Sequence, residues 1–159
     1  MTLNDVCNCN CFDEFSNQEA DFIKEFKHWI LYLHYRQHFF GRSLLILKEH
    51  KTKITELSHE EANEFFDIYK KWENAISHVS NNSNYNCSIL ISNTEHLVHK
   101  SHLHWHFIPR YEREIELFDQ IFPADSDNEK ALPYGTVEIK TVADPNLRTK
   151  ISSLLRDLL

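Results

Sequence analysis

The sequence predicts a single α+β domain in which an antiparallel sheet of about five strands carries a long helix on one face. Three observations lead to this prediction. Short apolar runs are separated by turns, one amphipathic stretch is far longer than a strand, and one segment alternates polar and apolar residues. A chain of 159 residues, 42% apolar and 13% aromatic, is long enough to bury one core.

Two strands joined by a turn follow the first helix-like stretch. Residues 21–28 read as a short helix, and WILYLH at residues 29–34 is an apolar run that reads as a strand. Residues 35–41 end in Gly41 and form the predicted hairpin turn. Residues 42–48 then pair back as the next strand.

A long amphipathic helix follows this hairpin. Ser58 and Glu61 have the spacing of a capping box, which marks the first turn of a helix. Apolar residues then recur every three or four positions: Ala62, Phe65, Phe66, Tyr69, Trp72, Ala75, Ile76 and Val79. This stripe indicates packing against the core or a second subunit rather than a cofactor site. Residues 81–86 read as a polar loop and residues 87–92 as an apolar strand.

The most informative segment is SHLHWHFIPR at residues 101–110. Read at the period of two of a β-strand, it has two different faces. One face is formed by His102, His104 and His106, and the other by Leu103, Trp105 and Phe107. Burying the apolar face fixes the register, because a slip of one residue would bury three imidazoles and expose the tryptophan. The sequence therefore predicts a row of three histidines.

The last part of the chain has a weaker pattern. Residues 112–134 are acidic and loop-like, and residues 136–142 alternate like an edge strand. Asp144 followed by Pro145 marks the start of a final helix. The apolar residues of that helix are Leu147, Ile151, Leu154, Leu155 and Leu158.

These elements divide the chain into three predicted regions. Residues 1–20 form a loose leader, and residues 21–115 form the core that carries the histidine row. Residues 116–159 form an extension that packs on the core or on a partner subunit.

Composition excludes several classes of function. A net charge of −7 and a pI near 5.8 provide no global basic field for nucleic acid or an anionic membrane. Two glycines are too few for the glycine-rich phosphate loops of P-loop and dinucleotide-binding proteins. The chain has no apolar run of about 18 residues and no signal-peptide pattern, so we expect a soluble, cytoplasmic protein. An anionic ligand would be attracted locally, by the basic residues that flank the histidine row: Arg42, Lys48, Lys100, Arg110 and Arg113.

The histidine row can be explained in three ways. The first is a set of solvated side chains on the polar face of a half-buried strand. The second is a zinc site made of two triad histidines and a distant ligand. All three cannot bind one ion, because at roughly 3.3 Å per residue the Cα atoms of His102 and His106 lie about 13 Å apart. The third is nucleophilic catalysis at phosphorus by the central, neutral imidazole, with its neighbours donating to phosphate oxygens. Strict alternation favours the third.

The segment HLHWHF followed by IPRY resembles the signature of the histidine triad (HIT) family of nucleotide hydrolases and transferases. It looks most like the bacterial branch described as diadenosine tetraphosphate hydrolases. GRSLLILKEH at residues 41–50 is similar to the family's strand after a glycine turn, and the resemblance covers roughly residues 29–115. Two positions differ from many relatives: Arg42 replaces a histidine, and Val98 and His99 replace a Gly-Gln pair.

The resemblance implies a HIT-like fold, a homodimer whose sheets join across the subunit boundary, and a small-molecule nucleotide substrate. It implies that His104 attacks the α-phosphorus to form a nucleotidyl-histidine intermediate, while His102 and His106 orient and stabilise. By position, Asn93 would contact phosphate or ribose and His34 the ribose; the alternative for each is an ordinary turn residue. The further expected substrate-binding residues are Arg42, His99 and Arg110. No cofactor is expected, although a divalent cation could accompany the substrate.

Some relatives bind structural zinc through N-terminal Cys-x-x-Cys and the histidine that matches His50. Here Cys7, Cys9 and Cys11 have the spacing Cys-x-Cys-x-Cys, so zinc remains an alternative at these residues. They are also too crowded to pair readily with one another, and Cys87 lies far along the chain, so no disulfide is expected.

Four other functions remain open at this point. The chain could be an adenosine phosphoramidase or a nucleotidyl transferase of the same family. It could also be a zinc-dependent enzyme that uses two triad histidines, or a nucleotide-binding regulatory protein with negligible turnover. The sequence sets neither the preferred nucleotide nor the base.

Overall fold

The computed structural model describes residues 21–80, 83–89, 102–124 and 142–159. Within these ranges the chain forms seven strands and two α-helices. The elements are β1 (Phe22–Glu25), β2 (Trp29–Leu33), β3 (Ser43–Leu47), α1 (His59–Ser80), β4 (Ser83–Ile89), β5 (His104–Tyr111), β6 (Ile115–Leu117), β7 (Gln120–Phe122) and α2 (Pro145–Leu158). Strands β1 to β5 form one antiparallel sheet in the order β1-β2-β3-β5-β4. The predicted α+β class with a five-stranded antiparallel sheet is confirmed.

The long helix covers one face of this sheet. The ring centroids of Phe65 in α1 and Trp105 in β5 are 4.7 Å apart, and those of Trp72 in α1 and Phe107 in β5 are 5.1 Å apart. The same buried cluster contains the apolar residues of β2 and β3 that point toward α1: Trp29, Leu31, Leu33, Leu45 and Leu47. Every residue of β2 and β3 is buried, as expected for strands in the middle of a sheet with apolar residues on both faces. The helix therefore fixes which face of β5 is covered.

The opposite face of the sheet carries a second, smaller apolar cluster. Ile30 and Tyr32 of β2 and Leu44 and Ile46 of β3 are each at most 2% exposed. In the β3–β5 register, Leu44 pairs with His106 and Ile46 with His104. Because paired residues point to the same face, both histidines lie beside this second cluster.

The first turn of α1 has the predicted capping box. The Ser58 amide donates to Oε2 of Glu61 at 2.6 Å, and the Glu61 amide donates to Oγ of Ser58 at 3.2 Å. Glu61 is 2% exposed and also accepts from Nζ of Lys51 at 2.6 Å. The capping box therefore begins the helix, and Glu61 also holds Lys51 of the preceding loop in place.

The final helix begins where the sequence predicted. The side chain of Asp144 accepts hydrogen bonds from the amides of Asn146 and Leu147. Ile151 and Leu155 of α2 are fully buried in the main core. No helix in the described ranges is long and apolar enough to cross a membrane.

Residues 21–28 contain strand β1, so the predicted short helix is wrong. β1 pairs with β2 and buries Ile23 completely, with an irregularity in the ladder between Phe22 and Lys24. A free sheet edge beside the fully buried β2 decides the conformation of this segment, since local propensity is weak over so few residues.

Two segments predicted as loops are partly strands. β4 begins at Ser83, inside the predicted polar loop, because it pairs with β5 continuously from Ser83–Tyr111 to Ile89–Trp105. The acidic stretch after β5 contains the β6–β7 hairpin, whose turn places Phe118 and Asp119 at positive φ. The predicted leader at residues 1–20 lies outside the described residues, as do residues 136–141 of the edge strand predicted at residues 136–142.

Candidate active site

Strand β5 places two of the three triad histidines on one face. His104 begins the strand and His106 follows two residues later, while Trp105 and Phe107 between and after them are buried against α1. His102 precedes the strand and is half-buried. Backbone pairing between β3 and the β5 side of the sheet nevertheless begins one residue before β5. The Leu47 amide donates to the Leu103 carbonyl at 3.2 Å. The predicted row of histidines therefore lies along one edge of the second cluster.

The position of the proton on His104 follows from one hydrogen bond. Its Nδ1 lies 2.8 Å from the backbone carbonyl oxygen of His102. A carbonyl oxygen only accepts, so Nδ1 carries the proton and the lone pair of the neutral ring is on Nε2. Burial lowers the pKa of His104, which favours this neutral form. The arrangement suits a nucleophile that attacks through Nε2.

The ring of His102 is held between two groups of the protein. Nε2 donates to the Leu47 carbonyl at 2.6 Å, and Nδ1 lies 3.2 Å from Nδ1 of His50. Because Nε2 of the neutral ring carries the proton, Nδ1 accepts and His50 donates. Burial is the main cause that lowers the pKa of His102. These contacts fix the residue whose carbonyl orients His104.

His106 lies beside His104 and is also kept neutral. The two ring centroids are 5.2 Å apart, and the His34 ring lies 5.9 Å from His106 on the other side. Burial, with smaller contributions from His104 and Arg42, lowers the pKa of His106 to about 3. Within the described ranges, its Nδ1 is buried and has no hydrogen-bond partner. No described backbone carbonyl accepts a hydrogen bond from its ring, whereas Nε2 of His102 donates to the Leu47 carbonyl.

The β2–β3 hairpin contributes His34 and Arg42 to the same region. The His34 amide donates to the Arg42 carbonyl at 2.9 Å, which extends the ladder one pair beyond Leu33 and Ser43. His34 is 6% exposed and stacks on Tyr35 at 4.5 Å. Burial, then Arg42, His106 and Arg36, lower the pKa of His34 to about 2. His34 is therefore a neutral ring at the end of the row.

The structure brings five of the predicted site residues together: His34, Arg42, His102, His104 and His106. Arg110 lies about 13 Å farther along β5 than His106, at roughly 3.3 Å per residue. Its guanidinium packs over the ring of Phe39 at 5.1 Å. The predicted contacts Asn93 and His99 lie outside the described residues.

Sequence reasoning did not connect His50 and Arg36 to the histidine row. The sequence connects His50 only with the zinc alternative, yet in the structure it contacts His102. The signal that could have identified it is the antiparallel pairing of β3 with β5, which brings the residues after β3 beside those before β5. Arg36 has no such signal, because it lies in a turn whose path follows no period.

The described ranges contain no group of three His, Cys, Asp or Glu side chains that could hold a metal ion. Cys7, Cys9 and Cys11 lie outside these ranges, so the zinc alternative at the N-terminus stays a prediction.

A family model described as HIT domain matches residues 16–113 of the chain. No curated protein matches significantly. Among solved structures, a hypothetical histidine triad nucleotide-binding protein from Sulfolobus tokodaii has a TM-score of 0.67 at 18% identity, covering 96% of this chain and 91% of that one. The Plasmodium falciparum diadenosine triphosphate hydrolase has a TM-score of 0.57 at 13% identity, covering 88% and 76%.

The C. elegans NitFhit protein has a TM-score of 0.60 at 13% identity, with 88% of this chain covered. The present chain spans only 27% of that longer protein. At these identities the likeness to solved structures shows a shared fold, and the sequence match over residues 16–113 shows the family.

Proposed function

Because the chain belongs to the HIT domain family, we propose that it is a nucleotide hydrolase that cleaves a nucleoside polyphosphate, of the diadenosine tetraphosphate type, at the α-phosphorus. The observation that carries the proposal is the hydrogen bond from Nδ1 of His104 to the His102 carbonyl. It leaves the lone pair of a neutral imidazole on Nε2, on the sheet face opposite α1.

Hydrolysis proceeds in two steps. Nε2 of His104 forms a bond to the α-phosphorus while the bond from phosphorus to the bridging oxygen breaks, and the leaving nucleotide departs with that electron pair. Water then attacks the same phosphorus, the N–P bond breaks, and a nucleoside monophosphate and a proton are released. In the intermediate the ring carries positive charge, and the His102 carbonyl stabilises it through Nδ1–H.

The neighbouring histidines have different roles in this proposal. His102 holds its own carbonyl in place, because its ring is fixed by Leu47 and His50. His106 lies next to the nucleophile, and its neutral ring has one N–H to donate to a phosphoryl oxygen as charge develops there. Neither ring acts as a strong acid, and a nucleotide leaving group does not require one. This is one reason to favour a phosphoanhydride over a phosphoramidate as substrate.

The assembly we propose is a homodimer. Among the described strands, β4 lies at one edge of the sheet, and Phe66 of α1 is 58% exposed. Edge strands and exposed aromatic side chains are common at subunit interfaces. Light scattering after size-exclusion chromatography tests this, since a mass near that of one 19.0 kDa chain would contradict it.

Turnover of a small nucleotide panel tests the function. Diadenosine tetraphosphate, diadenosine triphosphate and an adenosine phosphoramidate are compared for wild type, His104→Ala and the control His78→Ala, whose histidine is exposed on α1. We expect His104→Ala to lose at least about 1,000-fold in kcat on the polyphosphates, while nucleotide binding and the His78→Ala rates are retained. An undiminished rate for His104→Ala removes this residue from the nucleophile's role.

The same panel separates the rival functions. A binding protein returns every substrate intact, and a zinc enzyme loses activity in a chelator. A transferase releases little monophosphate until an acceptor phosphate is added, and then gives a nucleotidylated acceptor. A phosphoramidase turns over the phosphoramidate in preference to both dinucleotides.

A further inference from the structure

Three cross-strand rows of the central strands lie on the sheet face that carries the histidines. The first contains Ile30, Ile46 and His104, and the second contains Tyr32, Leu44 and His106. The hairpin adds His34 opposite Arg42 as a third row. Arg42 is therefore the diagonal neighbour of His106, at a typical spacing of about 7–8 Å. The row of imidazoles ends beside a guanidinium.

A second guanidinium belongs to the same end of the row. The Arg36 amide donates to Nδ1 of His34 at 3.0 Å, and its guanidinium carbon lies 5.2 Å from the ring centroid of Tyr35, on which His34 stacks. Arg36 and Arg42 each lower the pKa of His34, and Arg36 lowers that of Arg42 after the larger effect of burial. The two like charges are therefore close enough to repel each other.

These two charges have no counter-ion in the described part of the protein. The ion pairs found there include neither Arg36 nor Arg42. Nε of each arginine is buried without a hydrogen-bond partner. The nearby imidazoles of His34 and His106 are neutral, so they add no charge and supply no anion.

Burying two like charges is unfavourable, and an arginine does not relieve this cost by losing its proton, because the guanidinium group stays charged in proteins. The chain has 24 acidic and 17 basic residues, yet no described carboxylate is paired with either guanidinium. Two adjacent guanidinium groups with buried, unsatisfied N–H groups are suited to an anion that arrives from outside. The forked donors of arginine match a phosphate group in geometry as well as in charge.

We propose that Arg36 and Arg42 form a second phosphate subsite, which binds the phosphate groups of the leaving nucleotide beyond the α-phosphate. This inference rests on the proposed function and specifies its substrate class. Nucleoside and dinucleoside polyphosphates have a group to place in the subsite, whereas a phosphoramidate has only its α-phosphate. The subsite thereby selects polyphosphates.

The subsite also contributes to the chemical step. When the bond from the α-phosphorus to the bridging oxygen breaks, negative charge moves onto the leaving phosphate chain. Guanidinium groups that bind this chain stabilise the charge without giving up a proton. His104 and the two arginines then have separate roles. His104 forms the new bond to phosphorus, and the arginines stabilise the leaving group.

The decisive measurement is the ratio of kcat/KM for diadenosine tetraphosphate to kcat/KM for an adenosine phosphoramidate. We expect Arg42→Gln and Arg36→Gln each to lower this ratio about 10- to 100-fold, as for the loss of a charged hydrogen bond. The matched control is Lys71→Gln, which removes an exposed charge from α1 and should leave the ratio unchanged. Circular dichroism and thermal melting of each variant check folding.

Equal losses on both substrates, or no loss on either, would overturn the second subsite while leaving His104 as nucleophile. If wild type turns over neither substrate, the proposed function fails and the subsite is tested separately by titration calorimetry with inorganic tripolyphosphate. Binding that weakens at least about tenfold in the Arg36→Gln, Arg42→Gln double variant supports the subsite. Tripolyphosphate binding that is absent in wild type or unchanged in the double variant overturns it.

Discussion

Nδ1 of His104 lies 2.8 Å from the backbone carbonyl oxygen of His102, two residues earlier in the chain. This one contact determines which nitrogen of His104 holds the proton and which has the lone pair. The carbonyl is held in turn by the ring of His102, which donates to Leu47 and accepts from His50. Three residues, Leu47, His50 and His102, therefore act on one tautomer.

The pH dependence of kcat should have its acid limb below the ordinary histidine value of 6.5. Burial lowers the pKa of His104, and only the neutral ring has a lone pair with which to attack. Activity is therefore retained from pH 7 down to about 6.5 and falls as the pH drops through the lowered pKa of His104. Initial rates under saturating substrate measure this limb, and an acid limb centred above 6.5 would contradict the assignment.

Substitution of His50 should impair catalysis without greatly changing substrate affinity. His50→Ala removes the donor to Nδ1 of His102, so that the His102 ring and its carbonyl are less firmly held. We expect kcat to fall about tenfold with KM changed less than about threefold. His50→Asn, which retains an N–H donor, should recover part of the loss, and His78→Ala serves as the exposed control. If KM rises as much as kcat falls, His50 instead contacts substrate.

The buried ion pair between Asp21 and Arg148 should be essential for stability. Nη1 of Arg148 lies 2.6 Å from Oδ2 of Asp21, which joins α2 to the start of β1, and the residues are 1% and 6% exposed. At about pH 8, where Asp21 is ionised, Arg148→Met leaves its carboxylate buried without this partner, which costs about 3–5 kcal/mol of unfolding free energy. Urea unfolding measures it, and a loss below about 1 kcal/mol would show that the pair is not needed.

The same pair predicts a pH dependence of stability. Burial outweighs Arg148 and raises the pKa of Asp21 to about 6, above its ordinary 3.8. The folded state then binds the proton more tightly than the unfolded state, so this contribution is fully present below 3.8 and is lost as the pH rises through about 6. Asp21→Asn should remove that component, which is measured as the difference between the wild-type and variant unfolding free energies from pH 4 to 7. A difference that does not vary over this range would contradict the raised pKa.

Gly41 should tolerate no side chain. Its φ is +76°, and a Cβ there would overlap Cδ1 of Ile76 in α1. Gly41→Ala should lower the unfolding free energy by about 1–3 kcal/mol, from backbone strain and overpacking combined. Adding Ile76→Val, which removes the Cδ1 methyl, should restore part of the loss in a double-mutant cycle of thermal or urea unfolding. Strictly additive effects would show that the contact with Ile76 is not the cause.

The sequence alone predicted those parts of the protein whose structure depends on neighbouring residues. Alternation at period two, with Trp105 and Phe107 fixing the register, predicted that His104 and His106 share a face. The capping box of Ser58 and Glu61 and the cap at Asp144 predicted where both helices begin. Such signals are readable because hydrogen bonds and burial in these elements involve residues only two to four positions apart.

Only the tertiary structure decided which distant residues act on that row. His50 reaches His102 across 52 positions of the chain because β3 and β5 run antiparallel, and no local pattern encodes that contact. The turn of the β2–β3 hairpin likewise brings Arg36 and Arg42 to His34, and strand β1 forms where a helix was predicted because β2 offers it an edge. The row of alternating histidines was visible in the sequence, whereas the orientation of His104 and the charge around it result from packing between strands.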